Sequence, residues 1–197
     1  MTTTVRIDPR IKRTRQLLQH AFIELMQEKG FSAISIQEIA ERATVNRATF
    51  YAHFETKYQL LDSLIREQIR QLFASRLPPG LRWEESTLRI LIQTVLEYVQ
   101  ETQNYYCSSA KTLHPMMERA VQEELFDFLM ILLPPLGVSE PAPSVTRELL
   151  ALTSSWAIFG TAVQWSREPH ARSVENMTDA LLTVITRGVT HLTPGFV

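Results

Sequence analysis

Residues 46 to 53 read Asn-Arg-Ala-Thr-Phe-Tyr-Ala-His. Asn46, Arg47, Thr49, Tyr51 and His53 all carry hydrogen-bond donors, and the stretch holds no acid. Such groups suit phosphate oxygens and base edges. Phe50 and Phe54 lie four apart and would anchor one side of a helix to a domain. Lys57 follows at the expected start of another helix, where an ammonium and a helix N-terminus both favour phosphate. The chemistry indicated is polyanion binding rather than bond-making. No G-x-S-x-G, G-x-G-x-x-G, P-loop or H-E-x-x-H pattern occurs. The histidines, at 20, 53, 114, 170 and 191, are scattered, without a pair at metal-ligand spacing. No enzymatic activity, metal or cofactor is expected.

A short helix presenting those donors needs neighbours to hold it. Ser35 and Glu38 form an S-x-x-E capping box for a helix buried through Ile36, Ile39, Ala40 and Ala43 and ending near Thr44. Asn46 caps the next, through about His53. Helix, tight turn, helix is the geometry that places a second helix in a major groove. Upstream, Asp8 and Pro9 start a helix with an inward stripe of Leu17, Leu18, Ala21, Phe22, Leu25 and Met26, stopped at Gly30. Downstream, Thr56 caps a long helix with Tyr58, Leu61, Leu64, Ile65 and Ile69 facing inward, closed by Leu77-Pro-Pro-Gly80.

Helical periodicity continues beyond residue 80. Helices are expected over about 84–102, 105–112 and 115–133, then from a Ser144 cap to about 167 and from a Ser173 cap to about 192. Prolines at 134, 135, 141 and 143 mark a connector. With six glycines and no alternating β pattern, the fold class is all-α.

The chain of 197 residues is 45% hydrophobic and 21% charged, enough to bury a core without metal or disulfide staples. Its longest uncharged apolar run, Phe128 to Leu133, is far short of the roughly 20 residues of a membrane span. The first ten residues lack an apolar stretch before a cleavage site, so no secretory leader is expected. Cys107 is the one cysteine, which excludes an internal disulfide and a Cys-rich zinc site and suits a reducing cytoplasm. Net charge is −1, but residues 1–66 carry +3 and the remainder −4. A basic end on an acidic body suits a polyanion partner for that end alone.

The stretch from Gly30-Phe31 through Ile39-Ala40, Ala43-Thr44-Val45, Asn46-Arg47, Thr49-Phe50-Tyr51, His53-Phe54 and Lys57 to Leu60-Leu61 resembles the DNA-binding domain of the TetR/AcrR family of transcriptional regulators. Arg13-Thr-Arg15 through Ala21-Phe22 resembles that family's first helix. Thr44 stands where the family usually has Gly, and Phe50 where Leu is common. The resemblance implies a DNA-binding domain over about 9–70, with its helix-turn-helix at about 34–53, and a ligand-binding and dimerisation domain over 80–197. By position, it implies that Gln37 and Arg47 read bases. It gives Thr49, Tyr51, His53 and Lys57 phosphate contacts and makes Asn46 the recognition-helix cap. The partners so implied are double-stranded DNA, a second copy of the chain and a small-molecule effector.

In the second domain, Val145, Leu149, Leu152, Trp156, Phe159 and Val163 form one apolar stripe, and Val174, Met177, Leu181, Val184, Gly188 and Leu192 another. Leu150, Ala151, Ile158, Ala162 and Trp165 broaden the first nearly all round, so it needs cover on every side. A homodimer interface through Leu149, Leu152, Trp156, Phe159, Val163, Met177, Leu181, Val184 and Leu192 would supply it, as the resemblance also implies. Family members often place an inducer pocket in the aromatic and Met-rich zone preceding these helices. Its candidates here are Trp83, Tyr98, Tyr105, Tyr106, Met116, Met117 and Phe126, with Trp156. The expected function is a ligand-responsive regulator, a repressor, released from a palindromic operator by an inducer. The alternatives are a thiol response at Cys107, which has Lys111 four residues on, and DNA binding without a ligand.

Overall fold

The computed structural model describes residues 8–77, 80, 82–106, 114–134, 145–168 and 172–189, with side chains omitted at 103–106, 114, 188 and 189. Among them are eight α-helices and one 3-10 turn, and no strand. The helices are α1 (Pro9–Lys29), α2 (Ile36–Arg42), α3 (Arg47–His53), α4 (Lys57–Arg76), α5 (Glu85–Tyr106), α6 (His114–Leu132), α7 (Arg147–Ser166) and α8 (Val174–Val189), with the 3-10 turn at Phe31–Ala33. The fold is all-α, as the periodicity predicts.

Local chemistry sets most of the ends. The Asp8 side chain accepts from the Arg10 amide at 2.9 Å, with Pro9 opening α1. The Ser35–Glu38 capping box is complete in both directions. Thr56 Oγ1 accepts from the Gln59 amide at the head of α4, and Ser173 Oγ from the Asn176 amide at the head of α8. One start differs from expectation. α7 begins after Thr146, whose hydroxyl accepts from the Leu149 amide, whereas Ser144 lies outside the described residues. The separate helix expected over 105–112 also falls largely outside them, and α5 runs on to Tyr106.

The chain divides into two compact units, one up to Leu64 and one from Ile65. The division falls inside α4 because the side chains that follow pack with the second unit. Arg66 and Arg70 pair with Glu123 and Glu124 of α6, and Phe73 lies 5.2 Å from Phe128.

In the first unit, the head, Leu18, Phe22, Ile39, Phe50, Phe54 and Leu60 are almost wholly buried. Arg42 grips Glu28 with two hydrogen bonds of 2.7 and 2.9 Å and reaches Glu24, tying the end of α2 to α1. Two side chains expected inward face out: Leu17 is 44% exposed and Tyr58 46%. Leu17 sits at the edge of the stripe that Leu18 centres. Tyr58 meets Phe31 in an edge-type contact, centroids 4.9 Å apart and ring planes at 63°, and leaves nearly half its surface to solvent.

In the second unit, the body, α5 packs on α7 and α8, and α6 on α7. Leu88, Leu91, Ile92, Leu96, Leu125, Leu129, Ala151, Ile158 and Ala162 form its core. Gln122 donates to Ser155 inside that core at 3.1 Å, so the polar pair satisfies itself. Leu150, Ala151, Ile158, Ala162 and Trp165 are all buried, and the Trp165 indole N–H donates to the Arg172 carbonyl. Leu149, Leu152 and Trp156 on α7 and Val184 on α8 remain exposed. Phe159 and Leu181, expected at a subunit interface, are buried against their own protomer's helices instead. They lie on the inward shoulder of each stripe, which periodicity alone does not separate from the outward one. Val163 and Met177 are half-buried, and Leu192 lies outside the described residues.

Candidate nucleic-acid interface

The turn between α2 and α3 brings the donor-rich helix to the surface. Ala43, Thr44 and Val45 close on α2 through hydrogen bonds to the carbonyls of Ile39, Glu41 and Ala40. Thr44 carries φ = 56°, the left-handed conformation that glycine adopts without strain and threonine does not. Asn46 then caps α3: its Oδ1 accepts from the Thr49 amide at 2.7 Å and from the Thr49 hydroxyl at 2.9 Å. Below the helix, Phe50 and Phe54 are 0% and 1% exposed, centroids 5.9 Å apart. With one edge fixed in the core, the other is held outward.

Asn46, Arg47 and Tyr51 are exposed on that edge, with Thr49 half-buried behind them. Arg47 lies along the Tyr51 ring, its guanidinium carbon 5.5 Å from the centroid, and donates Nη2–H to the phenol oxygen at 3.0 Å. Because that oxygen accepts from Arg47, its own hydrogen stays free to donate elsewhere. Gln37 on α2 is exposed and donates to Glu41 at 2.9 Å, so reading a base through its amide N–H requires that bond to open.

His53 ends α3 half-buried. Burial, and secondarily the Arg15 guanidinium, hold its pKa below the ordinary 6.5. The Arg15 guanidinium carbon sits 4.6 Å over the Phe54 ring. Residue spacing did not single out Arg15 as a partner of the end of α3. The contact joins α1 to the end of α3 across 39 residues, and local periodicity carries no signal for it.

Lys57 departs from its expected role. Its ammonium donates to the carbonyls of Phe31, Ile34 and Ser32 at 3.0, 2.7 and 3.4 Å and lies 4.6 Å over the Phe31 ring. Three donors meet three acceptors, so it clasps the turn after α1 to the start of α4 and has no hydrogen left over for a phosphate.

The expected pocket residues are dispersed among the described elements. Met117 is buried; Trp83, Tyr98, Met116 and Phe126 are half-buried; Trp156 is 55% exposed. The side chains of Tyr105 and Tyr106, and all of Cys107, lie outside the described residues. Among the described residues no three His, Cys, Asp or Glu side chains gather as metal ligands. No described helix is long and apolar enough to cross a membrane.

Residues 18–64 match the family described as "Bacterial regulatory proteins, tetR family". An uncharacterized HTH-type transcriptional regulator of Bacillus subtilis (strain 168) is 37% identical over 67 residues, 34% of this chain and 18% of that protein. The Transposon Tn10 TetC protein of Escherichia coli is 41% identical over 58 residues, 29% of each chain. An HTH-type dhaKLM operon transcriptional activator of Lactococcus lactis is 27% identical over 93 residues, 47% of this chain and 46% of that one. The chain thus spans less than half the length of each of these relatives. The crystal structure of a TetR-family regulator from Streptomyces coelicolor A3 shares the fold with a TM-score of 0.56 at 19% identity, over 93% of this chain and 98% of that one. Residues 18–64, which hold the helix-turn-helix, are thus matched in sequence to the tetR family of bacterial regulatory proteins, and the all-helical fold is matched beyond them.

Proposed function

We propose that this protein is a ligand-responsive transcriptional repressor that binds a palindromic operator as a homodimer and is released by a small-molecule inducer. The observation that carries the DNA-binding part is the outer edge of α3. It is acid-free and donor-rich, and it is held outward by Asn46 beneath its first turn and by Phe50 and Phe54 behind it. Arg47 and Gln37 read base edges in the major groove. Tyr51, Thr49 and His53 contact phosphates, the Tyr51 hydroxyl through the hydrogen that Arg47 leaves free. Lys57 contributes head geometry rather than a direct phosphate bond.

Dimerisation is supported by the exposed apolar side chains Leu149, Leu152, Trp156 and Val184, which a second copy would cover. A dimer doubles the basic head and presents two recognition helices to half-sites about 34 Å apart. The inducer part is supported by the half-buried Tyr98, Met116 and Phe126 on α5 and α6, adaptable apolar groups of the kind that line ligand sites.

Selection of bound duplexes from random DNA tests the reading. The expected result is a two-fold symmetric site whose affinity falls steeply with salt. An asymmetric consensus, or a flat salt titration, would overturn it. On the selected site Arg47→Ala relaxes preference at one base pair per half-site, by about 1–3 kcal/mol where it reads guanine. Repression is tested by an operator-driven reporter, whose output rises when the protein is removed.

A further inference from the structure

Arg47 and Tyr51 stand one turn apart on the outer edge of α3, and they are joined twice. The Arg47 guanidinium carbon lies 5.5 Å from the centroid of the Tyr51 ring, and Nη2–H donates to the phenol oxygen at 3.0 Å. The ring is itself held. It stands edge-on to Phe50, centroids 5.7 Å apart and planes at 89°, and Phe50 is sealed in the core of the head. A line of contacts therefore runs from that core through Tyr51 to a guanidinium in solvent. The exposed neighbours Ala48 and Ala52 bear only methyl groups and offer Arg47 no rival acceptor.

Holding this arginine matters because a free one must be frozen to read a base. An exposed arginine samples many rotamers, and a base contact selects one of them. A side chain ordered beforehand loses less freedom on binding. The acceptor here is a neutral phenol, so the order comes without loss of positive charge. Arg42, by contrast, is neutralised by Glu28 and Glu24. The phenol oxygen engages one of the five N–H donors of Arg47, and paired bonds to guanine O6 and N7 need two more. The phenol hydrogen remains for a phosphate, so a phosphate contact at Tyr51 fixes where Arg47 stands relative to the DNA backbone.

We infer that Tyr51 is a positioning residue for Arg47 and thereby helps to determine which base the protein selects, beyond its own phosphate contact. The inference rests on the reading of Arg47 as a base contact and names the residue that aims it. The test takes the full chain, the duplex selected from random DNA and single-base variants of that duplex. Fluorescence anisotropy at fixed salt gives Kd for each, and the readout is the ratio of variant to selected Kd. Far-UV circular dichroism verifies helicity. Tyr51→Phe keeps the ring and removes the acceptor. It lowers the ratio about 3- to 10-fold at the base pair that Arg47→Ala also relaxes, and leaves the ratios at other pairs unchanged. In the Arg47→Ala background, Tyr51→Phe weakens every duplex equally and changes no ratio. If Tyr51→Phe alone weakens all duplexes alike with every ratio kept, Tyr51 serves the phosphate only: positioning is overturned while base reading by Arg47 stands. If Arg47→Ala changes no ratio, the base-reading role is wrong and positioning falls with it.

Discussion

On α3 in the head, Phe50 is sealed in the core while Asn46, Arg47 and Tyr51 face solvent. On α7 in the body the pattern is reversed in part: Ser154 and Ser155 are buried while Leu149, Leu152 and Trp156 face out. The outward faces of the two helices call for different partners. A donor-rich, acid-free edge gains most from phosphates and base edges, whose counterions it releases. An apolar edge gains most from another apolar surface. The head therefore reads as a surface for a polyanion and the body as a surface for protein, and perturbations of each should separate.

The largest effect expected is from Phe50→Ala. Truncating a fully buried aromatic at the base of α3 costs about 3–5 kcal/mol, enough to unfold a small head. Operator binding should vanish in gel shift while the body's dimer persists in sedimentation. Loss of the dimer as well would show that the two units are not independent. Lys57→Met comes next. It leaves the carbonyls of Phe31, Ser32 and Ile34 without their donor and should lower stability by about 1–3 kcal/mol in urea titration, with the salt slope of DNA binding unchanged. Unchanged stability with a slope reduced by about one would instead return Lys57 to the phosphates.

Thr44→Gly works in the opposite direction. Relieving a left-handed threonine outweighs the added chain entropy of glycine, for a gain of about 0.5–1 kcal/mol in thermal unfolding. A loss would mean that the threonine side chain supports the turn. The smallest effect belongs to Glu38→Gln, read as a function of pH. Lys29 first, then the Ser35 amide and hydroxyl, hold the Glu38 carboxyl at about 2 against an ordinary 4.5. Its stabilisation is therefore fully present above 4.5 and lost as pH falls through about 2. The variant should be less stable at pH 7, with the difference closing over that interval; a constant difference would assign the effect to shape rather than charge.

What the sequence settled on its own was local. The caps at Asp8, Ser35, Asn46, Thr56 and Ser173 are hydrogen bonds over two or three residues, so residue type and spacing suffice to foresee them. The same holds for Phe50 and Phe54 one turn apart. Tertiary structure decided what each side chain meets. Lys57 turned from phosphate ligand to clasp because carbonyls 23 to 26 residues away converge on it. Arg15 packed over Phe54 at the end of α3, and Phe159 and Leu181 went to the protomer's own core while Trp156 stayed outside. Helical period ranks residues around an axis, but only the packing of other helices fixes which part of a wide apolar stripe is covered and which is left for a partner.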